Sequence, residues 1–163
     1  MSAPEYPVTP AVRLLREGGI AFTPHFYAYE EHGGAPRAAG ELGVPLHQVV
    51  KTIVMETEAH QAILILMHGD MEISVKQMAR ILGVKRVAPC DPATAHRQTG
   101  YIVGGISPLG TRNPLPVYVE TTVLELPVIY LNGGRRGFLI GITPGDLRKV
   151  LLLTPVSVAV PPG

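Results

Sequence analysis

The chain is poor in charge, in aromatic residues and in cysteine. Charged residues make up 17% of its 163 positions, against 46% hydrophobic ones. A disordered chain needs the reverse balance, so intrinsic disorder is excluded. Lysine and arginine number 14 and aspartate and glutamate 13, a formal net charge of +1. A protein that coats duplex nucleic acid carries far more positive charge. Any nucleic-acid partner must therefore be gripped locally, at one end or in one pocket. The single cysteine, Cys90, rules out an internal disulfide framework and zinc sites built on two or four cysteines. Long hydrophobic runs are also missing. The longest, Ala62-Ile63-Leu64-Ile65-Leu66-Met67, is of strand length and cannot span a bilayer. The opening Met1-Ser2-Ala3-Pro4-Glu5 lacks the basic and apolar runs of a signal peptide. A cytoplasmic setting with no membrane partner is the expectation. No glycine-rich dinucleotide fingerprint, P-loop, zinc-protease helix or nucleophile elbow occurs, and neither cofactor nor metal is expected.

Glycine and proline are plentiful, at 18 and 16 residues, without a collagen-like period. They punctuate short elements. Thr9-Pro10, Asp91-Pro92 and Thr143-Pro144 each read as an N-cap followed by proline at the first helical position. Ser74 reads as the cap of a helix through Leu82, and Ala38 to Leu42 as another short helix. Strands are predicted over 20–29, 49–56, 62–67, 85–88, 117–120, 128–131, 138–142 and 154–160, with 49–56 and 62–67 as a hairpin. Helices and strands intermingle without a regular β-α-β alternation. The pattern predicts a mixed α/β fold with a mixed sheet. The length predicts one domain over 1–163, with 1–8 as a loose start.

Three segments could carry chemistry. Lys51 lies inside the apolar run Val49-Val50-Lys51-Thr52-Ile53-Val54. A lysine there must snorkel to water or meet an anion or acceptor. Gly104-Gly105-Ile106-Ser107-Pro108 forms a loop whose backbone N–H groups can face a ligand and receive charge developing on a carbonyl oxygen. Asn132-Gly133-Gly134-Arg135-Arg136-Gly137 reads as a tight basic loop, either an exposed hairpin tip or a phosphate grip. His25, His32, His47, His60, His68 and His96 are scattered without metal-ligand spacing. Cys90 reads as a small residue at a strand end, not a nucleophile.

These segments occur in one order, with Ala79-Arg-Ile-Leu-Gly-Val-Lys-Arg-Val87 and Asp91-Pro92 between them. The most specific pieces are Val50-Lys51-Thr52, the run Thr99 to Gly110, and Tyr130-x-x-Gly-Gly-Arg-Arg-Gly137 followed by Gly145-Asp146-Leu147. Together they resemble the YbaK/ProX family of aminoacyl-tRNA deacylases, relatives of the editing domain of bacterial prolyl-tRNA synthetases. The likeness runs from about Thr9 to Leu152 and is strongest to the YbaK branch. It implies a single compact domain with a curved mixed sheet surrounded by short helices, and removal of cysteine mischarged on proline tRNA. It implies the tRNA acceptor end as partner, with prolyl-tRNA synthetase as a second.

Carried over by that resemblance, Lys51 is the functional lysine, and Gly104 and Pro108 match the family's G-x-x-x-P loop; the main-chain N–H groups of Gly104, Gly105, Ile106 and Ser107 are expected to receive the oxyanion. Tyr27, Thr52, Pro108, Asn132, Gly133, Gly134 and Arg136 are expected to bind substrate. One departure stands out. Leu139 occupies the position where the YbaK branch usually carries an aspartate, and the competing expectation is a catalytically silent or differently specific homologue that binds the aminoacyl-tRNA end without hydrolysis.

Overall fold

The computed structural model describes residues 5–163. Of the segment expected to be loose, residues 1–4 lie outside the described residues. Tyr6 packs edge-on to Phe22 and stacks with Phe138. Ten strands, five α-helices and two 3-10 turns follow one another among the described residues.

The helices begin where their caps predict. Thr9 caps α1 (Pro10–Glu17) by accepting the Val12 N–H, and Ala11, Val12 and Leu15 are buried. After β1 (Thr23–Phe26), α2 (Gly34–Leu42) starts four residues earlier than the sequence predicts. Ser74 caps α3 (Val75–Leu82), Asp91 caps α4 (Pro92–Thr99) and Thr143 caps α5 (Pro144–Val150).

The hairpin holds: β2 (Val50–Thr57) pairs antiparallel with β3 (Ala62–His68) from Val50 opposite His68 to Glu56 opposite Ala62. Beyond it come β4 (Glu72–Ile73), β5 (Val87–Pro89), β6 (Val117–Glu120), β7 (Ile129–Arg135), β8 (Phe138–Ile142), β9 (Thr154–Val156) and β10 (Ala159–Val160). A five-stranded mixed sheet runs β5-β2-β3-β6-β9, with β6 and β9 parallel to their neighbours. A three-stranded antiparallel sheet runs β1-β8-β7.

The main core fills the space between these two sheets. Val50, Val54, Leu64 and Leu66 of one face Leu131, Phe138 and Ile140 of the other. The opposite face of the large sheet, through Met55, Ile65 and Met67, packs on Met78 and Ala79 of α3. Strand β3 is buried along its whole length, as a strand covered on both faces must be.

Three segments depart from the expected pattern. The strand predicted over 20–29 forms only at Thr23–Phe26. The basic segment is not a loose loop: β7 runs on to Arg135 through a bulge between Asn132 and Arg135. Asn132 builds the bulge, because its Oδ1 accepts the N–H groups of Gly134 (2.7 Å) and Arg135 (3.1 Å). The strand predicted over 154–160 is split into β9 and β10. The buried carboxylate of Glu120 accepts the N–H groups of Val158 (2.7 Å) and Ala159 (2.8 Å) and turns the chain toward β4.

Candidate active site

A cavity of about 610 Å³ opens beside the N-terminal half of β2. That is ample for a small-molecule site. Six segments wall it: Tyr27 and Tyr29 after β1, residues between Glu31 and Ala38 leading into α2, Val49 to Thr52, Pro92 at the start of α4, Val103, Gly104 and Ile106, and Asn132, Arg136 and Leu139 of the β7–β8 hairpin. Lys51 and the glycine loop therefore share one cleft. Tyr27, Lys51, Thr52, Gly104, Ile106, Asn132 and Arg136 of the expected site are brought together there.

Lys51 is half-buried, and its Nζ donates to the Met71 carbonyl at 2.6 Å. Burial lowers its pKa, and the charges of Glu72 and Asp70 partly oppose that shift. The ammonium thus meets an acceptor, one of the two fates open to it. The turn bearing Met71 is itself pinned. His47 Nδ1 lies 2.9 Å from Asp70 Oδ1, and the His47 and His68 rings stack at 3.7 Å. His68 Nδ1 donates to the His47 carbonyl (2.7 Å), which leaves Nε2 to accept from the Thr122 hydroxyl (2.7 Å). The structure thus gathers three metal-ligating side chains that are scattered in the sequence. Near-parallel rings aim their nitrogen lone pairs side by side, not at one point, and both His68 nitrogens are engaged. The trio braces the Met71 turn.

Thr52 is different. Its Oγ1 is buried and has no hydrogen-bond partner, and the residue lines the same cavity. A buried hydroxyl without a partner costs about 1–3 kcal/mol. Replacing it with an isosteric methyl is expected to stabilise the fold by up to about that amount. Thr52→Val should therefore raise the melting temperature while lowering kcat/KM for the substrate that would satisfy the hydroxyl. A fall in both would assign Thr52 to the fold alone.

The glycine loop contributes less than its sequence promises. Gly105 donates its N–H to the Ile102 carbonyl (2.8 Å), so that amide is not free for an oxyanion. Its Cα instead faces the β7–β8 turn, where an added Cβ would lie 2.9 Å from the Arg136 amide nitrogen. Gly105→Ala is expected to part the two segments, costing about 1–3 kcal/mol in chemical denaturation and raising KM. Ser107 is fully buried, and its Oγ accepts the Leu109 N–H (3.1 Å). Neither it nor Gly105 and Pro108 reaches the cavity wall. Of the four residues expected to offer oxyanion-binding amides, Gly104 and Ile106 line the cavity.

Gly133 and Gly134 also stand behind the wall. Thr9 Oγ1 donates to the Gly133 carbonyl (2.5 Å), and Gly134, at φ +101°, abuts Tyr101 and Thr9. Asn132 donates through Nδ2 to the Gly104 carbonyl (3.0 Å), tying hairpin to loop.

The cavity also contains residues that the site expectations omit. Tyr29, Ala38, Val49 and Leu139 line it, and Leu139 packs with Ala38, Ala39 and Val49 in an apolar cluster. One end of the site is therefore greasy. Tyr29 follows Tyr27 at the two-residue spacing of an extended segment, the one signal that could have flagged it. Cys90 lies outside the wall, and burial together with Glu56 and Asp91 pushes its thiol pKa up to about 11. Such a thiol is a poor nucleophile at neutral pH.

The chain is an aminoacyl-tRNA deacylase, a hydrolase of mischarged tRNA. Residues 31–150 match the aminoacyl-tRNA editing domain, and the chain belongs to that family. A protein of Enterococcus faecalis named "Putative Cys-tRNA(Pro)/Cys-tRNA(Cys) deacylase EbsC" is 27% identical over 83% of this chain and 84% of its own. A proline--tRNA ligase of Bordetella petrii is 32% identical over 78% of this chain and 23% of its own. A crystal structure described as "a putative trans-editing enzyme for prolyl tRNA synthetase" superposes with a TM-score of 0.79 at 24% identity. The match covers 96% of this chain and 100% of the solved chain. No helix among the described residues is long and apolar enough to cross a membrane.

Proposed function

We propose that the chain removes cysteine mischarged on proline tRNA, acting in trans in the cytoplasm beside a prolyl-tRNA synthetase. The observation that carries this reading is the shared cleft of Lys51, the unpartnered Thr52 hydroxyl and Gly104. The aminoacyl ester is already activated, so catalysis needs positioning and charge stabilisation more than a strong nucleophile. Lys51 swings from the Met71 carbonyl to the ester or the terminal ribose. The Gly104 and Ile106 amides receive the developing oxyanion. The attacker is water, or the thiol of the cysteinyl group itself. The ester C–O bond breaks and the ribose oxygen leaves as a hydroxyl. The name of the Enterococcus relative supports cysteine as the acyl group. The greasy end formed by Ala38, Val49 and Leu139 suits a small, weakly polar side chain.

The test is incubation with proline tRNA charged with labelled cysteine, alanine or proline. Cysteine should be released fastest, and release should slow sharply in Lys51→Ala. Leu139 favours the second reading, a silent homologue, since no carboxylate stands at that position. Binding of the charged tRNA without release would select it.

A further inference from the structure

We propose that Tyr29 and Arg136 form a stacking platform at the cavity lip for the terminal nucleobase of the RNA. This inference rests on reading the cavity as an aminoacyl-ester site, and it assigns the ring beyond the ester. The guanidinium carbon of Arg136 lies 4.8 Å from the centroid of the Tyr29 ring, and both residues line the cavity. Arg136 Nε donates to the Val103 carbonyl at 2.9 Å, which fixes the guanidinium on the ring. Tyr29 is fixed in turn. It presses against Gly104, where an added Cβ would lie 2.8 Å from the ring and φ is +90°. Gly104 is thus needed for the approach of an aromatic ring as well as for its amide.

The platform is open on its outer side. Arg136 is exposed, and among the described residues no carboxylate lies within ion-pair distance of it. Ile102 and Val103, on the loop that holds it, expose about half of their surfaces, at 50% and 46%. A flat cation on an aromatic ring, edged by apolar side chains, is the chemistry that takes an unstacked base. A phosphate grip would use Arg136 differently. A phosphate is held by a lysine's point charge or by an arginine's fork whether or not a base is attached, whereas stacking needs the guanidinium plane and the base together.

That difference sets the experiment. Calorimetric titration would compare uncharged CCA trinucleotide with the same oligonucleotide carrying an abasic terminal ribose. The wild type should bind CCA about tenfold or more tightly than the abasic form. Arg136→Lys should lose about that factor for CCA and nothing for the abasic form, with an unchanged melting temperature. Equal affinity for the two oligonucleotides, or an Arg136→Lys variant that binds CCA like wild type, would overturn the platform. Neither measurement needs hydrolysis. Base-dependent binding without ester cleavage of any charged tRNA would remove the deacylase reading and leave the platform standing. Cleavage indifferent to both the base and Arg136→Lys would do the reverse.

Discussion

Lys51→Ala is expected to lower kcat/KM for mischarged tRNA by about 10²–10³-fold, the scale of losing one preorganised charge-stabilising donor. The cavity offers two side-chain cations in its wall, Lys51 and Arg136, and only Lys51 is desolvated enough to act in a medium of low dielectric. The expected pH dependence follows from the direction of its shift. In the proposed mechanism Lys51 acts as an ammonium, so activity should hold at neutral pH and fall as pH rises through its pKa, which lies below the ordinary 10.5. Lys51→Arg, whose charge persists, should lose that alkaline limb in whatever activity it keeps.

Stability moves the other way. Burial disfavours the charged form in the folded chain, so the unfolded chain binds more protons between the lowered pKa and 10.5. The cost of burying the ammonium is therefore present below the folded pKa and relieved as pH rises toward 10.5. Lys51→Met should flatten that slope in urea titrations at alkaline pH. Full activity in Lys51→Ala would remove the lysine from the chemistry and leave it as the cap of the Met71 carbonyl.

Local chemistry was legible from the chain alone. Thr9-Pro10, Asp91-Pro92 and Thr143-Pro144 each announce a helix, because cap and proline act within one turn. The β2–β3 hairpin is readable for the same reason. The parallel pairing of β3 with β6 and of β6 with β9 is not, since it joins segments far apart in sequence. The site divides along the same line. Lys51 announces itself as a cation in an apolar strand, but its acceptor is a carbonyl twenty residues away in a turn braced by His47, His68 and Asp70. Gly105 reads as an open amide and proves to be a contact surface for the hairpin backbone, a role visible only once two distant segments meet. Tyr29 carries only its spacing from Tyr27 as a signal, and its place in the site becomes visible when Gly104 and Arg136 come against its ring.

Leu139→Ala is expected to change which acyl groups are removed, while Lys51→Ala changes how fast all of them are. Leu139 is 4% exposed, and it lines the cavity beside Ala38 and Val49, packed against them and Ala39. Truncating it should cost about 2–5 kcal/mol in chemical denaturation, the usual range for a buried leucine that leaves a void. The void would open into the cavity and lengthen its apolar end. An apolar pocket discriminates by about 1–3 kcal/mol per methylene, or roughly 10–200-fold in kcat/KM. The wild type should therefore reject leucyl and methionyl esters by such factors relative to cysteinyl, and Leu139→Ala should erase most of that difference while slowing cysteinyl release. Competition between the charged tRNAs at one enzyme concentration measures this ratio without needing absolute rates. The stability loss does not confound it, because partial unfolding lowers every rate by the same factor and leaves the ratio alone. An unchanged ratio would mean that the acyl group points away from Ala38 and Val49, toward the rim at Glu31 and His32.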